Sequence, residues 1–271
     1  MNTERELARI AVATGRHRFA LPGIAVAVAV ALAVVSAGAW AANAETNSEK
    51  KAEKKAPVEF EDVRLIIEFN ASDEDVGVQF FLDVDSWQSV RIFNPAGKEI
   101  FDARSKSSLL NQGGGTEMFV ESNEPTLDEL SLEEFFEIFP EGTYRFAGRT
   151  PDGAALTGEA EFSHDIPAAP EVVLPMVSED ACAENVPIPV VIDWNEVATT
   201  IDNEPIDIKA YEVIIEHDDL NFDVISSADT GTTLTIPAEL IEPGTEYAFE
   251  VLAIAENGNQ TITETCFVTA D

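Results

Sequence analysis

The stretch Ile241-Glu242-Pro243-Gly244-Thr245-Glu246-Tyr247 leads into Thr245 to Ala255 (TEYAFEVLAIA), and that run is one of a series. Glu171 to Leu174, Pro189 to Trp194, Ile206 to Glu216, Phe222 to Ser226, Thr232 to Ile236 and Thr261 to Thr269 are the others. Short strand-like runs at regular intervals, parted by turn residues, are the pattern of an all-β sandwich. Seven of them in about 100 residues is the immunoglobulin-like count.

The chain upstream is also strand-like. Val63, Leu65, Ile67 and Phe69 alternate with Arg64 and Glu68, and Val76, Val78, Phe80, Leu82 and Val84 share one face of a second run. Period-2 alternation means half-buried strands. A third strand, Ser89 to Phe93, reaches Asn94-Pro95-Ala96-Gly97-Lys98, where Pro pre-sets a turn and Gly97 supplies the left-handed residue of a type II turn. Ile100 and Phe101 begin the return strand, and Ser105 to Gly115 (SKSSLLNQGGG) reads as a flexible loop. Thr126 with Glu129 gives a capping-box pattern ahead of Leu127, Leu130, Phe135 and Ile138, so one short helix is expected before Pro140. Gly142 to Gly148 and Ala155 to Phe162 form a hairpin around Thr150-Pro151-Asp152-Gly153. The Pro-rich segment Asp165 to Pro170 separates a β-rich region, 58–165, from the seven-strand region, 166–271. No bond is expected to cross that linker.

The second region resembles the fibronectin type III module. Trp194 stands where that family's second strand carries a core Trp, Tyr211 where the third carries a core aromatic, and Ile241 to Tyr247 is similar to its L-x-P-G-T-x-Y signature with Ile for Leu. The resemblance implies an immunoglobulin-like sandwich with Trp194, Tyr211 and Tyr247 in one core, Tyr247 acting as the tyrosine corner. It covers only about the last 100 residues of what resembles a fibronectin type III domain-containing exported bacterial protein.

Residues 1–44 have the parts of a secretory signal: Arg5, Arg9, Arg16 and Arg18, an apolar stretch from Leu21 to Trp40, and Ala42-Asn43-Ala44 before Glu45. An uncleaved anchor is the competing reading, since about 20 apolar residues can span a bilayer. Residues 45–57 are a charged spacer. Export to the periplasm or medium makes a disulfide between Cys182 and Cys266, the whole cysteine complement, the expected state.

The 271-residue chain has 51 acids against 16 bases, a formal charge of −35. Such a surface repels nucleic acid and anionic headgroups, so no nucleic-acid partner is expected, and no membrane partner once the signal is cut. Excess carboxylate suits either a salt-rich environment or a cation-rich partner. Only eight basic side chains lie beyond residue 55. His164 and His217 lack a nucleophile elbow nearby, and no phosphate cradle follows Gly113-Gly114-Gly115. No catalytic residue, cofactor or metal site is therefore assigned, although Asp73-Glu74-Asp75 and Asp83 with Asp85 offer calcium-type oxygens. The expectation is a noncatalytic binding, adhesion or envelope-matrix protein with a protein or polysaccharide partner. The alternative is a hydrolase, or a hydrolase accessory subunit, acting on extracellular polysaccharide or protein.

Overall fold

A computed structural model describes residues 55–176, 181–217 and 220–271. The signal, its cleavage site and the spacer up to Lys54 lie outside the described residues. The chain is mainly β, as the alternating runs imply.

In the first half, β1 (Val58–Glu59), β4 (Ser89–Phe93), β5 (Glu99–Arg104), β7 (Gly142–Arg149) and β8 (Ala155–Phe162) form one sheet in the order β1-β8-β7-β4-β5. Facing it are β2 (Asp62–Asn70), β3 (Asp75–Trp87) and β6 (Gly115–Glu121). Leu65, Ile67, Val78 and Leu82 from this side meet Val90, Ile92, Tyr144 and Phe146 from the other in a single buried core.

Local structure departs from expectation in three places. Residues Ser107–Gln112 form a short helix, α1, inside the expected loop of Ser105 to Gly115, and the chain then enters the strand Gly115–Glu121, for which the sequence carried no expectation. Gly114 has φ 91°, and a Cβ there would sit 2.3 Å from the Trp87 carbonyl oxygen, so the glycines serve close approach. The second helix, α2 (Leu132–Ile138), is capped by Ser131 and Glu134 in a reciprocal capping box. Thr126 instead accepts turn bonds at its carbonyl from Glu129 and Leu130, because it forms an isolated bridge with Asp75. In the β4–β5 hairpin the Gly97 N–H bonds the Asn94 carbonyl and Gly97 itself carries the positive φ, 77°. The left-handed residue is fourth in that turn, so the turn is not type II, which needs it third.

The second half contains β9 (Val172–Leu174), β10 (Ala183–Val186), β11 (Val190–Trp194), β12 (Ile208–His217), β13 (Leu220–Ser227), β14 (Thr233–Ile236), β15 (Glu246–Ala255) and β16 (Gln260–Thr269). Strands β14-β11-β9 pack as a small sheet over β13-β12-β15-β16, and β10 is a strand beyond the expected seven. The result is the sandwich that the fibronectin type III resemblance implies.

The two halves share a sheet. β16 pairs β2 in parallel through Gln260 with Glu68, Thr261 with Phe69 and Ile262 with Asn70, giving the continuous order β13-β12-β15-β16-β2-β3-β6. Phe69 packs on the first core, while Phe267, an even number of residues from Thr261, lies in the second. Side chains alternate across a strand, so both cores lie on the same face of this sheet. The same edge of β16 is used twice, by β2 near its start and by β10 near its end, which leaves little open ladder there.

The expectation that nothing ties across the linker is corrected. Thr261 Oγ1 donates to the Pro167 carbonyl (2.5 Å) and Thr263 Oγ1 to the Pro170 carbonyl (2.8 Å). Asn259, 1% exposed, accepts the Ile67 N–H at 2.8 Å and donates to the Ser163 and Asp165 carbonyls, each at 2.9 Å. No backbone N–H outside the strands is bonded to either proline carbonyl among the described residues, and threonine hydroxyls on β16 supply the donor.

Candidate functional site

Val90 and Ile92 point into the first core, so Ser89, Arg91 and Phe93 point away from it. Register extends this into a pattern. Ser89 lies between Arg104 on β5 and Arg149 on β7, Arg91 lies between Asp102 and Ala147, and Phe93 pairs with Arg145. The Arg145 guanidinium stacks 4.1 Å from the Phe93 ring centroid and the Arg91 guanidinium 5.3 Å from it. The segment after β5 then brings Lys106 and Ser107 over the same end of the sheet, with Leu110 of α1 behind them. Together they enclose an open cleft of about 500 Å³ in which Arg91, Arg104, Lys106 and Arg149 converge with Ser89 and Ser105.

Half of the eight basic side chains beyond residue 55 line that cleft. Arg104 forks onto Asp102 at 3.0 and 3.1 Å, and Arg91 reaches Glu99 at 3.5 Å. The Arg104 fork holds the Asp102 carboxyl below the usual range. Both pairs are exposed, and such pairs contribute ~0–1 kcal/mol, so an incoming anion can compete for the guanidinium groups. Arg149 Nη1 donates to the Gly153 carbonyl (3.3 Å) and Ser105 Oγ to the Trp87 carbonyl (3.2 Å).

The shared sheet carries the opposite charge on the face turned away from both cores. Glu68, Glu121 and Glu124 bring carboxylate oxygens within 4.8 Å of one another, the one such group among the described residues. Gln260 Nε2 donates to Glu68, and Gln79 Nε2 to Glu121 at 3.1 Å. Burial, and then the charges of the neighbouring acids, push Glu68 and Glu124 up to about 7. Farther along, burial raises Glu212 to about 8, with the adjoining Asp223 carboxyl adding to the effect, and raises Glu250 to about 7. Between them Ala210, Leu252, Ile254 and Ile262 form a small apolar cluster. These carboxyls come from β2, β6, β12, β15 and the loop after β6, so no sequence motif announces them.

The residues singled out in the sequence take structural places. Trp194 (3% exposed), Tyr211 (1%) and Tyr247 (1%) lie in the second core, Trp194 edge-on to Tyr211 at 5.3 Å and Tyr247 stacked on Phe267 at 5.3 Å. The Tyr247 hydroxyl accepts the Glu242 N–H and the Tyr211 hydroxyl accepts the Val197 N–H, each at 2.8 Å. Cys182 and Cys266 form a disulfide that joins the lead-in of β10 to β16. His164 Nε2 bonds the Phe139 carbonyl (2.8 Å) with its ring stacked on Phe136, and His217 Nδ1 bonds the Glu246 carbonyl (2.8 Å). Of the calcium-type candidates, Asp73 is taken into a turn whose N–H groups bond Asn70 Oδ1, Asp83 is buried, and Asp85 is exposed. Sequence reasoning missed the cleft. Its only signal was that most bases past residue 55 fall between Arg64 and Arg149.

No family model matches the sequence, and no curated protein matches it. Among solved structures, the chain is similar to the chicken CNTN1 FN1-FN3 domains, at 11% identity and a TM-score of 0.34 over 80% of this chain and 66% of that one. It is also similar to a tetra-tandem repeat in the extending region of a large adhesion protein, at 13% identity and a TM-score of 0.26 over 77% of this chain and 49% of the other.

Proposed function

We propose that this chain is an exported, noncatalytic binding protein of the adhesion or envelope-matrix kind, engaging a protein or polysaccharide through the outer face of its first sandwich. The observation that carries this reading is the open cationic cleft on a protein of charge −35. A surface made acidic for solubility alone would scatter its few cations, and a cleft of one sign concentrates an opposite-signed partner. Among the described residues no histidine lines the cleft, and His164 and His217 bond main-chain carbonyls elsewhere. The Cys182–Cys266 bond supports an oxidising compartment.

The test is to pass envelope and medium fractions over the immobilised protein and follow both retention and chemistry. Saturable retention of one component, with no new reducing ends or peptide termini released, is the expected result. Turnover of the retained component would replace this reading with the hydrolase one, and absence of any saturable partner would end it.

A further inference from the structure

We infer that the cleft formed by Arg91, Arg104, Lys106 and Arg149 binds an acidic polysaccharide, holding successive anionic groups of one chain; this deepens the binding function proposed above and rests on it. The geometry specifies repeated charge. Arg104 and Arg149 flank Ser89 on either side, two strand spacings apart, or about 10 Å at the sheet. In the free protein the Arg104 fork is held on Asp102 and Arg149 on the Gly153 carbonyl, so a ligand with two or more anionic groups can engage both without drawing the guanidinium groups together. Lys106 adds a mobile point charge and Arg91 a third fork.

The lining also argues for sugar. Ligand clefts that take apolar molecules are mostly apolar. Among the lining residues Leu110 is the one large apolar side chain, and Gln88, Ser89 and Ser107 place neutral hydrogen-bonding groups beside the cations. That alternation suits a ligand that carries hydroxyls between its charges, as a uronic acid chain does, better than a peptide whose acidic residues alternate with apolar ones.

Long-range repulsion does not prevent this. The Glu68, Glu121 and Glu124 carboxyls lie on the outer side of the opposite sheet, farther from the cleft than the roughly 10 Å sheet spacing, so they do not contact a ligand held there. Near the cleft the opposing acids are Asp102 and Glu99, each on an exposed pair, so the local sum remains positive. Arg145 lies outside the cleft lining, its guanidinium stacked on the Phe93 ring.

The experiment measures binding of the purified protein to oligogalacturonate by calorimetry, with neutral dextran and poly-glutamate as comparison ligands. Arg104→Gln with Arg149→Gln is compared with Lys98→Gln, a single charge loss at the far end of the β4–β5 hairpin. Oligogalacturonate should bind with an affinity that falls with salt, dextran should not bind, the double variant should lose at least about tenfold, and Lys98→Gln should stay near wild type. Equal binding by the double variant overturns the cleft assignment. Tighter binding of poly-glutamate than oligogalacturonate overturns the polysaccharide class. If no polyanion binds yet the wild-type protein still retains its envelope partner, this inference fails while the binding function stands. Loss of that retention as well would fail both.

Discussion

Tyr144 and Tyr247 occupy equivalent places in the two sandwiches and use their hydroxyls in opposite senses. Both are essentially fully buried at the start of a strand that follows a proline and a positive-φ glycine, Pro140 and Gly142 in one case, Pro243 and Gly244 in the other. The Tyr144 hydroxyl donates to the Pro140 carbonyl at 3.0 Å, whereas the Tyr247 hydroxyl accepts the Glu242 N–H at 2.8 Å. Each half thus closes one corner by tying a core ring to backbone just upstream, the tyrosine-corner device. The Pro-to-Tyr spacing is the same in P-E-G-T-Y and P-G-T-E-Y, with the glycine one residue earlier in the second, and the hydroxyl meets a carbonyl in the first and an amide in the second. The corner recurs in both halves, but the sense of its hydrogen bond does not.

The largest expected effect asks whether the halves are separable at all. Cys266 lies on β16, and β16 also pairs β2. Opening the Cys182–Cys266 bond releases a loop of 84 residues, a loss of about 4–5 kcal/mol on the chain-entropy account, at its upper end. Because the shared sheet couples them, signals from Trp87 in the first half and Trp194 in the second should shift together in a reduced sample. If only the second half's transition moves, the halves are independent and the β2–β16 pairing is energetically minor.

Asn259→Ala tests the same joint from the side of the linker. It strands the Ile67 N–H and the Ser163 carbonyl, and removes one of the two side-chain donors to the Asp165 carbonyl, without removing apolar surface. A buried group left unpaired costs about 1–3 kcal/mol, so a loss of about 2–4 kcal/mol is expected, seen as a lower urea midpoint. Asn257→Ala, which removes one bond to the Asp165 carbonyl and the Oδ1 acceptor of the Asn259 N–H from an exposed side chain, should cost less, ~1 kcal/mol.

Acidity gives an effect common to both halves. Glu68 and Glu124 in the first, and Glu212 and Glu250 in the second, have folded values near 7 to 8 against 4.5 for the ordinary carboxyl. The folded state therefore holds more protons than the unfolded state between those values, and stability falls as pH rises through that window. The stabilisation is fully present below about pH 4.5 and lost by about pH 8 as far as these groups decide it. Glu212→Gln should remove part of the loss, raising stability by ~1–3 kcal/mol at pH 9 and changing it little at pH 5. A melting temperature for Glu212→Gln that tracks wild type at both pH values would show that Glu212 ionises without cost.

What was legible in sequence follows the distinction between local and nonlocal signals. The seven strands of the second half, and the pairs around Asn94–Lys98 and Thr150–Gly153, carry alternation and turn residues of their own. Strand β6 does not: Gly113-Gly114-Gly115 reads as a breaker, and its exposed Glu117 and Phe119 blur the alternation with Met118 and Val120. The cap of α2 was misplaced because Thr126-x-x-Glu129 and Ser131-x-x-Glu134 both satisfy the pattern, and only the bridge to Asp75 chooses between them. The β2–β16 pairing had no signal at all, since strand edges leave no trace in side-chain periodicity. The cationic cleft is of the same kind, assembled from β4, β5, β7 and the segment before α1.

The smallest expected effect returns to the two tyrosines. Removing the hydroxyl of Tyr247 leaves the Glu242 N–H without its acceptor, and a donor has a single proton with no second way to be satisfied. Removing that of Tyr144 leaves the Pro140 carbonyl, whose second lone pair remains open to water or a neighbouring donor, so the orphan is tolerated more readily. Tyr247→Phe should therefore cost about 1–2 kcal/mol and Tyr144→Phe about 0.5–1 kcal/mol, with both rings still packed and the denaturant slopes unchanged. The same contrast predicts that Tyr211→Phe, which strands the Val197 N–H, sides with Tyr247→Phe. Equal losses for Tyr144 and Tyr247 would mean that donor and acceptor roles are interchangeable at these corners, and a larger loss for Tyr144 would reverse the ordering argued from the hydrogen bonds.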